Sequence, residues 1–439
     1  MAVNHGHGKT AGAKDLIFAY DTGDTRNSYK GRPTENYIHH QNALPQSSYS
    51  NWSATSAGAW NTNHPDSIRA YNSNGGEISG YYNSGVTDAA NTHHAHWQYD
   101  NILKKPVVVM NDVDGQWKAK SFGTGMGSWT SYGKGFGATY TISWLQWVDN
   151  LSKYMSAGLY RRTPENNNNF HDGRSTTYNT QVGTWQRVYH TFTTSTVVDL
   201  DSTYLSIYMY GHYGTRATIK VADVQFNWGD HPHQFVNGTR SVTEGLKDLT
   251  GNVSLNLSNV SFNSIAHPTW DGTDDYISMT GFTQPSDPNN FSVEAIVKLN
   301  SHNSGTNIGS VIVNNYSSLK GWIFYLDGPD SRLGLRHHND GNAGGYSIEY
   351  GTGINLNQWY HIAATDDGTT VRLYINGLQV TSGSSATSVN YTGQPLIGQF
   401  GGGNAVTDGD IPVTKIYNRA LTAGEVKTNY NNYKGRFNI

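Results

Sequence analysis

The chain of 439 residues contains no cysteine, so neither disulfides nor thiolate metal sites can support it and the redox compartment is not legible. Charge is also scarce: 14% of residues are Asp, Glu, Lys or Arg and the formal net charge is −3. That excludes an electrostatic footprint for nucleic acid and gives no basic face for anionic lipid. No run of about 18 apolar residues occurs, and the opening MAVNHGHGKTAGAKD lacks an apolar h-region, so neither membrane insertion nor Sec export is expected. Glutamate is rare, and the E-x-D-x-x-E pattern by which one strand supplies two carboxylates for glycoside hydrolysis does not occur. Glu294, in FSVEAIVKL, has no acid two or five residues away and reads as an outward-facing strand residue. No phosphate-binding loop, dinucleotide fingerprint or Ser-His-Asp signature is visible, so the chain is not expected to be an enzyme.

What is abundant is glycine, 49 residues, together with Asn, Ser, Thr and a 12% aromatic share that includes 29 tyrosines. Gly and Asn take the positive φ of tight turns while aromatics fill pleated surfaces, which predicts an all-β chain of many short strands. From Phe291 onward FSVEAIVKL, SVIVNNY, GWIFYLD, SRLGLRH, WYHIAAT, TVRLYINGLQV and PLIGQF alternate apolar and polar residues. Asp366-Asp367-Gly368 and Asn376-Gly377 fall between such runs as hairpin turns. One helix is predicted from Thr422 to Tyr430, with Thr422 as N-cap and Glu425 as capping-box partner.

Three passages carry a resemblance. DGTDDYI at 271–277, NQWYHIAATDDGTTVRLYINGLQV, and VTKIYNRALTAGEVKTNY together resemble the laminin-G-like, concanavalin A-type jelly rolls found in structural proteins of bacteriophage virions. KDLIFAYDTGD near the start resembles the opening strand of the same domains, which resumes at Gly238. Between them YTISWLQWVDN, TWQRVYHTFTTS and ATIKVADVQFNW resemble jelly-roll carbohydrate-binding modules. The expected fold is therefore all-β, with two jelly-roll β-sandwiches and one short C-terminal helix. Residues 1–37 and 238–439 form the laminin-G-like domain, and 38–237 an inserted binding module, an insertion that costs little if its ends lie close together. An N-terminal arm that packs elsewhere is the alternative.

The resemblance implies a virion protein, a fibre or a capsid-decorating protein, made in the host cytoplasm and displaying glycan-binding jelly rolls for adhesion. Its partners would be glycans, other virion proteins and copies of itself, a trimer by analogy. A purely structural assembly role and a glycan-degrading tailspike are the alternatives. Sugar binding uses flat aromatic faces, and the candidates are Trp117, Trp129, Tyr132, Trp144 and Trp147. Trp129 and Tyr132 sit in the glycine-rich GMGSWTSYGKGFG, while Trp144 and Trp147, three apart on a strand, face opposite sides, one core and one exposed. Trp185 and Trp359 precede strands as core anchors. No cofactor is required. Calcium is possible at Asp271, Asp274 and Asp275, at Asp366 and Asp367, or at Asp408 and Asp410, although turn chemistry explains each of these equally well. His93-His94-Ala95-His96, His5-Gly6-His7 and His231-Pro232-His233 read as polar loops in preference to metal sites.

Overall fold

The computed structural model describes residues 10–35, 68–71, 93–112, 120–124, 139–151, 154–161, 170–177, 179–193, 203–210, 217–236, 239–302, 308–339, 345–387, 391–402 and 404–439. It is built of antiparallel strands with one α-helix, the all-β class that alternation and turn chemistry predict. The chain divides into two compact units. Unit 1 is discontinuous, taking the chain up to Pro33 and again from Arg240 to Ile439, and unit 2 is the stretch Thr34–Thr239.

Unit 1 is a sandwich of an eight-stranded and a seven-stranded sheet. In the first, the strand Asp408–Tyr417 pairs on one side with Asn290–Leu299 and on the other with Leu16–Asp21, which brings the opening strand into the sheet built by the distant part of the chain. Alternation sets the faces: Phe291, Val293 and Ala295 turn into the sandwich, where Phe291 stacks on Trp322 with ring centroids 4.6 Å apart. Asn376 (φ 51°) and Gly377 (φ 71°) close the hairpin between Thr370–Ile375 and Leu378–Ser384, as the Asn-Gly pair requires.

Helix α1 (Ala423–Phe437) starts at the anticipated capping box but runs seven residues past Tyr430. Val426 packs with Tyr374 and Tyr417, and Tyr433 and Phe437 with Ile296 and Val413. These partners lie on the face of the eight-stranded sheet that points away from the sandwich interior, so α1 covers that face. Within unit 1, residues 29–32 run beside 240–246: Lys30 N donates to Gly245 O (2.9 Å) and Arg240 Nη1 to Arg32 O (3.1 Å). A Cβ on Gly245 would stand 2.7 Å from Gly31 O, so glycine is what permits this approach.

Unit 2 contains two five-stranded sheets, ordered by strand as 186–193, 139–148, 217–228, 105–112, 93–100 and as 68–71, 120–124, 203–210, 154–161, 170–177. On the strand Thr139–Val148 every second residue, Tyr140, Ile142, Trp144, Gln146 and Val148, is fully buried. Tyr140 stacks on Phe226 at 5.1 Å.

Candidate functional site

The opposite parity of the same strand builds a different surface. Leu145 and Trp147 are half-buried, and register pairs Trp147 with Lys220 and Leu145 with both Ala222 and Arg187. Between Ala222 and Gln225 the register slips by one residue, and Asp223 takes φ 50°. This bulge frees its carboxylate to pair with Lys105, while its carbonyl accepts from Arg187 Nη1 (2.9 Å). Arg187 Nη2 also donates to Ser143 Oγ (2.7 Å), and burial pulls the guanidinium down to about 10.

Lys220 Nζ lies 4.5 Å from the Trp147 ring centroid and 3.5 Å from Asp100 Oδ2. Burial raises the Asp100 carboxyl, but the Leu103 and Ile102 N–H groups, each 2.9 Å away, carry it below its ordinary range. Trp185 packs against Val107, Val109 and Ala222. Tyr189, opposite Ser143, is 52% exposed. One sheet face thus carries a half-buried indole, an exposed phenol and fixed charged groups. Apolar ring faces set among hydrogen-bonding groups suit a polyhydroxylated ligand.

Of the residues expected to bind sugar, only Trp147 is placed on this face. Trp144 is corrected to the core: it is 0% exposed and its Nε1 donates to Gln146 Oε1 (3.0 Å), so neither ring face can reach a ligand. Trp117, Trp129 and Tyr132 lie outside the described residues. Tyr189, Arg187 and Lys220 went unnoticed in the sequence. The register of TWQRVYHTF against TISWLQWV holds the signal that could have found them, since Tyr189 and Arg187 share the parity of Trp147. Trp185 and Trp359 are half-buried, Trp359 against Phe437 with Lys298 over its ring.

Among the described residues, Asp271, Asp274 and Asp275 form a group whose ligand atoms lie within 4.8 Å of one another. Asp275 is buried and accepts from Asp271 N (2.9 Å); burial, with the Asp271 and Asp274 charges, pushes its carboxyl up to about 6. Three hard oxygen donors at this spacing could hold a divalent cation. The other acidic candidates are occupied locally. Asp408 accepts from Asn300 and Ser301, and Asp410 pairs with Lys298 at 2.6 Å. Asp367 pairs with Arg372 at 2.7 Å, and Asp366 accepts from Gly368 N and Ser385 Oγ. His93, His94 and His96 lie on a strand, a correction of the loop reading, with their side chains outside the described residues; His5 and His7 are also outside them. His231 contacts Asp230 and His233 contacts Thr34 through their Nδ1 atoms.

Glu294 is the other correction. It points away from the sandwich interior, as expected, but it is 2% exposed because α1 lies over it. Its Oε1 accepts from Tyr417 Oη (2.9 Å) and faces Lys415 Nζ (3.1 Å). Its Oε2 accepts from Asn429 Nδ2 (3.3 Å) and faces His361 Nε2 (3.3 Å). Burial favours the neutral acid, yet Lys415 and His361 hold the carboxyl down at about 2. Burial likewise opposes the Lys415 charge, and Tyr433 and Glu294 outweigh it, keeping the amine well above its ordinary range. The helix register of Asn429 and Tyr433 on α1 was the missing information.

Residues 271–427 match the family model described as the concanavalin A-like lectin/glucanases superfamily. The matched stretch lies within the β-sandwich of unit 1. No curated protein matches the chain. Similar solved structures include the receptor-binding domain of botulinum neurotoxin type G (21% identity, 44% of this chain and 49% of that one, TM-score 0.35). The binding domain of Paraclostridial mosquitocidal protein 1 is similar at 20% identity over 43% and 49%, TM-score 0.34. The receptor-binding domain of botulinum neurotoxin D is similar at 17% over 44% and 51%, TM-score 0.36. The jelly-roll chain spans about half the length of these structures.

Proposed function

We propose that the protein is a non-enzymatic structural component of a bacteriophage virion, a fibre or capsid-decorating protein that binds glycans through jelly-roll surfaces. The observation that carries the binding part is the sheet face of unit 2, where half-buried Trp147 and 52%-exposed Tyr189 stand among Lys220, Arg187 and Asp100. The virion part rests on the resemblance of the three C-terminal passages to phage structural proteins. Calcium at Asp271, Asp274 and Asp275 would neutralise three clustered carboxylates beside the sandwich, and a heat of calcium binding that Asp275→Asn abolishes is the expected result by calorimetry.

Glycan-array binding by the full chain tests the reading. Binding that Trp147→Ala or Tyr189→Ala reduces, with the melting profile kept, supports it, and a blank array removes it. Trp129→Ala extends the test to the glycine-rich segment. Immunogold microscopy of purified particles tests the virion part: label on the tail or head supports it, and unlabelled particles overturn it.

A further inference from the structure

The chemistry beneath α1 exceeds what is needed to fix a helix. A primary amine, a carboxylate and a carboxamide meet there out of water: Lys415 on a strand, Glu294 on the neighbouring strand, Asn429 on the helix, all at most 3% exposed. One carboxylate touches both of the others, with Lys415 Nζ 3.1 Å from Oε1 and Asn429 Nδ2 3.3 Å from Oε2. The Asn429 carbonyl oxygen accepts a hydrogen bond from the backbone N–H of Ala11 at 2.9 Å. Tyr417 Oη accepts from Asn429 Nδ2 at 3.0 Å and donates to Glu294 at 2.9 Å. These are a nucleophile, a shared acid–base, an electrophile with a donor on its oxygen, and a hydroxyl touching the leaving nitrogen.

We propose that Lys415 and Asn429 form an autocatalytic isopeptide cross-link, with Glu294 as its catalytic residue. Glu294 takes a proton from the Lys415 ammonium, and the freed amine lone pair attacks Asn429 Cγ, forming the C–N bond. Charge developing on Oδ1 is met by the Ala11 N–H. Collapse breaks the Cγ–Nδ2 bond. Nζ gives up two protons in all, both reaching the departing nitrogen through Glu294 and Tyr417, so ammonium leaves and Glu294 is regenerated. No oxidant or cofactor enters. Exclusion of water protects the carboxamide from hydrolysis.

Mass spectrometry of the purified full chain decides the matter. The wild-type protein should be lighter than its sequence by one ammonia, about 17 Da. Its tryptic digest should contain one branched species joining the peptide Leu373–Arg419, uncut at the acylated Lys415, to the peptide TNYNNYK. Lys415→Arg and Glu294→Gln should appear at full mass with the fold retained by circular dichroism. If Glu294→Gln does not fold, Asn429→Asp serves instead: the same attack then expels water and the loss becomes about 18 Da. A wild-type chain at its full sequence mass overturns the proposal. So does an ammonia loss confined to one linear peptide, which is succinimide formation at a single asparagine. Cross-linking that survives in folded Glu294→Gln overturns the role of Glu294.

Discussion

Each unit sets an outward-facing lysine beside an aromatic ring and a carboxylate, and the two differ in what lies above. In unit 1, Lys415 stands 4.7 Å from the Tyr433 ring and pairs with Glu294, with side chains 3% and 2% exposed. In unit 2, Lys220 stands 4.5 Å from the Trp147 ring and pairs with Asp100, with side chains 21% and 5% exposed. The helix removes the first set from water, where every partner must be satisfied internally and loss of one is costly. The second set keeps part of its hydration, so its pairing is worth less to the fold and its ring can serve a ligand. Similar side chains therefore form a structural knot in one place and the proposed recognition surface in the other.

Breaking the knot should have the largest effect. Glu294→Ala strands a buried lysine and should cost unit 1 about 3–5 kcal/mol, read as a lowered melting transition in calorimetry. Asp100→Asn, the matching change in unit 2, should cost no more than about 1–2 kcal/mol; equal losses would undo the comparison. Within unit 2, Trp144→Ala should cost about 3–5 kcal/mol, since it empties a fully buried site. Trp147→Ala should cost about 1 kcal/mol in stability while weakening glycan binding, so a Trp147→Ala chain that unfolds would show that ring to be core as well.

Protonation sharpens the contrast further. The Asp275 carboxyl is raised in the fold to about 6 from an ordinary 3.8, so the folded state takes up its proton first. Its contribution to stability is fully present below about pH 4 and is lost as pH rises through about 6. The difference in melting temperature between wild type and Asp275→Asn should therefore change across pH 4–6 and level off outside it, with unit 2 unaffected. Thr422→Ala, which removes the N-cap acceptor of α1, should have the smallest effect, about 1 kcal/mol in unit 1 by chemical denaturation.

The strands of unit 1 were legible because alternation and hairpin turns are local: Asn376-Gly377 and the Thr422 to Glu425 capping box form where the sequence places them. What stayed hidden depends on a second element crossing over the first. Glu294 sits at an outward position of its strand, and nothing in FSVEAIVKL shows that a helix more than a hundred residues away will cover it. Trp144 and Trp147 could be assigned to opposite faces by parity, but which face is core is decided by what packs over the strand. Tyr189 and Arg187 join Trp147 through the register of two strands separated by a pair of strands from the other sheet, which single-strand periodicity does not report.

The strand Leu16–Asp21 pairs with Asp408–Tyr417, and its flanks are tied to the C-terminal segment by Arg419 with Asp15, Arg436 with Asp21, and Ala11 with Asn429. A tensile load applied at residues 10 and 439 would meet this one junction first. The force would pass from ladder to helix through unit 1.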